Sequence, residues 1–187
     1  MPTTSATSVT RRATAGFAAL AATAAAVSVA AARPAEAADR PLLKVPFPCH
    51  QTWRGSTWAG HSPSDRAMDL NLPPGGDTDL GKPVKASAAG KVVSAGVGGG
   101  GYGNRVLIGH GNNWSTFYAH LSRIDVKVGQ HVEATTTIGA VGKSGGQSSA
   151  HLHYEQRHHG TPVSIRFGSS TWATYYSNTQ TFTRTRC

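Results

Sequence analysis

Ala150-His151-Leu152-His153-Tyr154-Glu155-Gln156-Arg157 decides how this chain folds. In an extended strand successive side chains point to opposite faces, so His151, His153 and Glu155 share one face while Leu152 and Tyr154 turn to the other. Two imidazoles on one rigid face are a pre-positioned pair of metal donors. A catalytic zinc takes three protein ligands of the His and Asp or Glu kind and leaves a fourth position open, so the pair needs partners from elsewhere. His61, Asp69 and His120 are the upstream candidates. Met68-Asp69-Leu70-Asn71-Leu72 alternates in the same manner, which puts Met68, Leu70 and Leu72 on one face and Asp69 with Asn71 on the other. His61 lies eight positions before Asp69, in a Ser-Pro-Ser loop that could fold back beside it. Asp65 in that loop competes for the ligand role, although no strand pattern aims it.

Outward from these two segments the chain reads as short strands bounded by Gly, Asn or Ser: Pro83 to Ala86, Lys91 to Ala95, Asn104 to Gly109, Ser115 to Ala119, Asp125 to Val128 and Thr137 to Val141. Prolines at 41, 46 and 48 make the lead-in extended, and no segment offers a long amphipathic helix. Close spacing and hairpin-type turns predict an all-β, antiparallel domain with a substrate groove and little helix. Gly98, Gly100 and Gly103 spell G-x-G-x-x-G, but a strand follows where a dinucleotide site needs a helix, so Gly96 to Gly103 is a hairpin tip that could rim a groove.

Residues 1–37 read as a signal peptide: Arg11-Arg12, then an alanine-rich run, then Ala35-Glu36-Ala37. The run is too poor in Leu and Ile for a stable membrane anchor, and Thr10-Arg11-Arg12 leaves both the general secretory and the twin-arginine export routes open. Residues 38–187 then form a single domain, secreted and either extracellular or associated with the cell wall, and expected to be a monomer. The whole chain carries a net charge of +9, and removal of the leader with its three arginines and one glutamate leaves +7. The basic residues are scattered, which suits weak attraction to anionic wall polymers and gives no sign of a dedicated nucleic-acid surface. Cys49 and Cys187, the only cysteines, are expected to pair in an oxidising compartment; free thiols or an intermolecular bond are the alternatives.

The segments Gly60-His61 through Met68-Asp69-Leu70, Gly81 to Ala86, Gly101-Tyr102-Gly103-Asn104, Phe117-Tyr118-Ala119-His120-Leu121 and Ala150 to Glu155 together resemble the M23 family of peptidoglycan metalloendopeptidases, the lysostaphin and LytM-like group. Val126 to Gln130 and Ile138 to Gly142 extend the likeness, which covers His61 to Glu155. The resemblance implies that His61, Asp69 and His153 bind one zinc ion, and that His120 and His151 stand beside it as catalytic histidines. It also implies a secreted endopeptidase that cleaves stem peptides or cross-bridges of bacterial peptidoglycan through a zinc-activated water. An inactive wall-binding or activator module and an extracellular zinc protease acting on proteins are the rival readings. No H-E-x-x-H occurs, so a helix-borne glutamate mechanism is excluded.

The chain departs from the family pattern in the wide His61–Asp69 spacing, in an extra Pro73-Pro74-Gly75-Gly76-Asp77-Thr78-Asp79 loop, and in Gln147-Ser148-Ser149-Ala150 before the His-Leu-His motif. Trp53 and Trp58 occupy the region where some relatives carry a tyrosine. Glu155 reads as an ion-pair partner on the strand face more readily than as an orienter of a ligand imidazole. His110, His131, His158 and His159 read as surface histidines, and the aromatic tail of Trp172, Tyr175, Tyr176 and Phe182 as packing for the last strands.

Overall fold

The computed structural model describes residues 1–3, 40–62, 64–177, 180–185 and 187. The expected leader over 1–37 falls almost wholly outside them. Among the described residues there is no helix, so none that could cross a membrane. Fourteen strands form in chain order: β1 (Thr52–Ser56), β2 (Met68–Asn71), β3 (Pro83–Lys85), β4 (Gly90–Gly98), β5 (Gly103–Gly109), β6 (Trp114–Leu121), β7 (Arg123–Ile124), β8 (His131–Val132), β9 (Thr137–Ala140), β10 (Leu152–His158), β11 (Thr161–Val163), β12 (Arg166–Phe167), β13 (Thr171–Trp172) and β14 (Gln180–Thr183).

The main sheet runs β14-β1-β2-β10-β6-β5-β4-β8, with β11 hairpinned onto β10; β3-β9-β7 and β12-β13 form two smaller sheets. The strand pairs are antiparallel throughout. The all-β antiparallel class read from the sequence is what the fold shows. Alternation sorts the two faces as expected: Met68, Leu70, Leu152 and Tyr154 are fully buried in one core with Tyr118, Ile108, Ile138 and Trp53, each worth about 1.5–3 kcal/mol of transfer free energy. The two buried tyrosine hydroxyls find partners at Ser87, which keeps a polar pair from destabilising that core.

The structure departs from the sequence reading at both ends. Strand β1 and the edge strand β14 were not anticipated, and Asp125 to Val128 is not a strand: the ladder with β9 stops at Ile124, after which the chain turns at Gly129. The termini are closed together by the Cys49–Cys187 disulfide, 138 residues apart in sequence. Beside it, buried Arg184 donates to the carbonyls of Val45, Phe47 and Ala134, tying the lead-in to the last strand. Converting both cysteines to serine removes the constraint on the unfolded chain and is expected to lower stability by about 2–5 kcal/mol, read as a lower midpoint in urea with an intact zinc content.

Candidate metal centre

Asp69 and His153 face each other directly across the β2–β10 ladder, each on the face opposite its core neighbours. His61 reaches them from the β1–β2 loop, whose turn is closed by the His61 amide donating to the Trp58 carbonyl. His61 Nε2 and His153 Nδ1 each lie 3.3 Å from Asp69 Oδ1, and one donor atom from each residue falls within 4.8 Å of the others. All three residues are buried, yet Oδ1 has no aligned hydrogen bond. A buried carboxylate oxygen without a donor is costly unless a cation meets it. Tetrahedral zinc with bonds of about 2.0–2.1 Å requires neighbouring ligand atoms roughly 3.3–3.4 Å apart, so the donor chemistry and the spacing both fit that ion.

The His153 ring is set by its other nitrogen, Nε2, which lies 2.9 Å from Glu155 Oε1. A carboxylate only accepts, so Nε2 carries a proton, and Nδ1 is the nitrogen left to join Asp69 in holding a cation. Glu155 is fully buried, and its second oxygen accepts from Arg157 Nε at 2.7 Å while Tyr102 donates its hydroxyl at 3.3 Å. Burial alone would raise the Glu155 pKa, but the bonds from His153 and Arg157 outweigh it and hold the group ionised. Asp69 follows the same logic: burial raises, His153 and His61 lower, and the net is a carboxylate well below its usual range. Burial pushes His153 down, yet the carboxylates of Asp69 and Glu155 on either side raise it overall. These two anions prepare the position between them for positive charge. Glu155→Gln is expected to weaken zinc binding about 10–100-fold, the usual effect of losing the partner that orients a ligand imidazole, as measured by competition with a chromophoric chelator.

His120 and His151 stand next to this cluster, their ring centroids 4.7 Å apart. His120 Nδ1 donates to the Ser144 carbonyl and His151 Nδ1 to the Ser149 carbonyl, both at 3.0 Å. A carbonyl only accepts, so each ring carries a proton on Nδ1 and has Nε2 left for other partners. Burial, reinforced by the neighbouring imidazoles His151 and His153, lowers the His120 pKa to about 4, so it is neutral near pH 7. His120 sits at φ +61°, a left-handed conformation held by its amide donating to the Tyr102 carbonyl; backbone strain of this kind concentrates at functional positions. The segment that aims His120 is clamped in turn: the Asn104 amide donates to Ser144 Oγ, and Gly103 and Gly145 pack so closely that a Cβ on either would overlap the other turn's backbone.

All five residues singled out from the sequence, His61, Asp69, His120, His151 and His153, therefore meet at one place. Asp65 does not join them; it accepts the Gly60 amide in an exposed turn. Glu155, read from the sequence mainly as a strand-face ion-pair partner, both pairs with Arg157 and orients His153. Of the two upstream tryptophans, Trp53 is core, stacked on Phe47, whereas Trp58 stacks on His61 with centroids 4.0 Å apart. Asp77 of the extra loop was not singled out from the sequence; its carboxylate accepts from the Ala150 amide and Lys143 and so fastens that loop to the segment carrying His151. His110 is no free surface residue, since it bridges the Ala89 carbonyl and Thr116 Oγ1. In the tail Phe182 packs in the core, while Trp172 and Tyr176 are exposed.

Peptidase family M23 matches residues 71–165, half of the chain, taking in His120, His151 and His153 and starting just past Asp69. The DD-carboxypeptidase/endopeptidase Mpg of Neisseria meningitidis is 47% identical over 83 residues, which is 44% of this chain and 19% of Mpg. A lipoprotein NlpD/LppB homologue of Pseudomonas aeruginosa is 34% identical over 124 residues, 66% of this chain and 41% of that protein. The chain thus spans less than half the length of either relative. Among solved structures, the catalytic domain of a point mutant of the prophage-encoded M23 protein EnpA from Enterococcus faecalis superposes with a TM-score of 0.52 at 29% identity, covering 64% of this chain and 92% of that one. A fold of antiparallel sheets, a histidine and aspartate cluster on the sheet face opposite the core and a matching family profile agree: the chain belongs to peptidase family M23.

Proposed function

We propose that the protein is a secreted zinc metalloendopeptidase that cleaves peptide bonds in the stems or cross-bridges of bacterial peptidoglycan. The observation that carries this reading is the meeting of two unlike sets of side chains on one sheet face. His61, Asp69 and His153 converge as a donor set, and His120 and His151 add two imidazoles whose Nδ1 atoms are committed to backbone carbonyls, which leaves Nε2 for the reaction. A zinc ion held by the first set supplies Lewis acidity, polarising a peptide carbonyl and lowering the pKa of water. The chain's own residues move the protons. His120, neutral near pH 7, accepts at Nε2 the proton that the attacking water gives up and passes it to the leaving amine, and the adjacent His151, when it carries a proton at Nε2, stabilises the developing oxyanion. Glu155 and the carbonyls of Ser144 and Ser149 keep the three rings in these orientations.

A similar protein of Vibrio cholerae named peptidoglycan DD-endopeptidase ShyA supports the substrate class, as does the net positive charge toward anionic wall polymers. The test is mass spectrometry of fragments released from purified peptidoglycan, with zinc and with a chelator. New peptide termini that depend on zinc are the expected result and identify the bond. Intact peptidoglycan together with cleaved glycine-rich proteins would shift the reading to a protein substrate, and binding without any cleavage would shift it to a wall-binding module.

A further inference from the structure

Beyond His153 the same sheet face continues into a second cluster of charges. On β10 the residues His153, Glu155 and Arg157 alternate onto this face, and Phe117 of β6 lies directly opposite Glu155. The Phe117 ring is buried beneath two guanidinium groups, Arg157 with its central carbon 4.2 Å from the ring centroid and Arg105 of β5 at 5.9 Å. Tyr102 packs edge-on against both Phe117 and His153, at 4.8 and 5.5 Å, and so joins this cluster to the metal centre.

The two arginines differ in what neutralises them. Arg157 is matched by the buried carboxylate of Glu155. Arg105 is half-buried, and among the described residues no carboxylate and no hydrogen-bond acceptor engages its guanidinium. Its position is nevertheless built. Gly98 on the neighbouring strand leaves the space that the Arg105 side chain fills: a Cβ there would come within 2.8 Å of the guanidinium carbon and overlap Nε and Cδ. One glycine and one aromatic ring hold a single unpaired cation in place, where a flexible surface arginine would be free to turn away. In the strand order β2-β10-β6-β5, Arg105 lies two strands from His153, or about 10 Å at the usual strand spacing. Three residues of extended peptide cover that distance.

Resting on the peptidase reading above, we propose that Arg105 is the anchor of a carboxylate subsite, selecting peptides that carry a free carboxylate two or three residues from the bond cut. The ligand class is a peptide α-carboxylate or acidic side chain, and the planar guanidinium fork binds it through charge-assisted hydrogen bonds.

The experiment is a titration of the isotopically labelled, zinc-loaded full chain with N-acetylated tetraalanine ending in a carboxylate or in a carboxamide, followed by NMR, with cleavage read from product signals in the same samples. The acid form is expected to bind about tenfold more tightly, as one exposed charge-assisted contact gives. Arg105→Ala removes the preference. Gly98→Ala, which displaces the side chain without deleting it, removes it as well, and zinc content stays at one per chain in both. A ratio of acid to amide affinities is insensitive to a modest loss of stability, so a merely structural role for Arg105 would leave it unchanged. Equal affinity for the two peptides in the unmodified protein, a preference that survives Arg105→Ala, or failure of either peptide to bind would overturn the subsite. A preference that depends on Arg105 in a protein that cleaves neither peptide nor peptidoglycan would uphold the subsite and remove the catalytic reading.

Discussion

His153→Ala is expected to abolish stoichiometric zinc binding and, with it, zinc-dependent cleavage. The substitution removes one of three donors that meet at Asp69 Oδ1. Structural zinc binding is worth about 10–16 kcal/mol over a full ligand set, so one donor's share of about 3–5 kcal/mol corresponds to a loss of 10²- to 10⁴-fold in affinity. Two further costs follow from the surroundings. Glu155, fully buried, loses the N–H that Nε2 gives it and keeps only Arg157 and Tyr102. The space left between the His61, Tyr102 and Phe117 rings is apolar on one side, so a cavity term adds to the loss of stability. Zinc per chain after dialysis, measured beside a thermal melt, separates the two effects. Folded protein with zinc still bound at one per chain would remove His153 from the donor set.

The alternation of Met68 to Leu72 and His151 to Arg157 was legible because period two is a local property. It fixed which side chains face the core before any partner strand was known, and the structure keeps every one of those assignments. Strands β1 and β14 were not legible for the opposite reason. Thr52-Trp53-Arg54-Gly55-Ser56 has little apolar alternation, and it becomes a strand because the chain's far end returns to pair with it beside the Cys49–Cys187 closure. The same blindness to distant contacts explains Asp125 to Val128, which alternates well and has no strand to join. At the site, residue types and spacing were enough to pick five side chains, but not the atoms that aim them. Backbone carbonyls of Ser144 and Ser149 carry no side-chain signature. The burial of Glu155 depends on Tyr102 arriving from the β4–β5 turn and Phe117 from β6, which no local pattern announces.

His120→Ala separates the metal's holder from the proton's. His120 makes no contact with Asp69 short enough to count as ligation; its Nδ1 is committed to the Ser144 carbonyl, and its ring lies edge-on to His151 and His153. Zinc content is therefore expected to stay at one per chain, with affinity within a few-fold of the unmodified protein. Turnover behaves differently, because a positioned proton acceptor contributes about 10²- to 10⁴-fold to rate. The loss should fall on kcat more than on KM, since the ring meets the reacting atoms and not the length of the peptide. Alanine also suits the left-handed backbone at this position less well than histidine does, with φ at +61°, so His120→Asn serves as a second variant: asparagine tolerates that conformation but cannot shuttle a proton near neutral pH. Both variants should hold zinc and hydrolyse peptidoglycan at a small fraction of the original rate. Zinc loss in His120→Asn as deep as in His153→Ala would place His120 among the ligands and reverse the division of labour between the two sets of histidines.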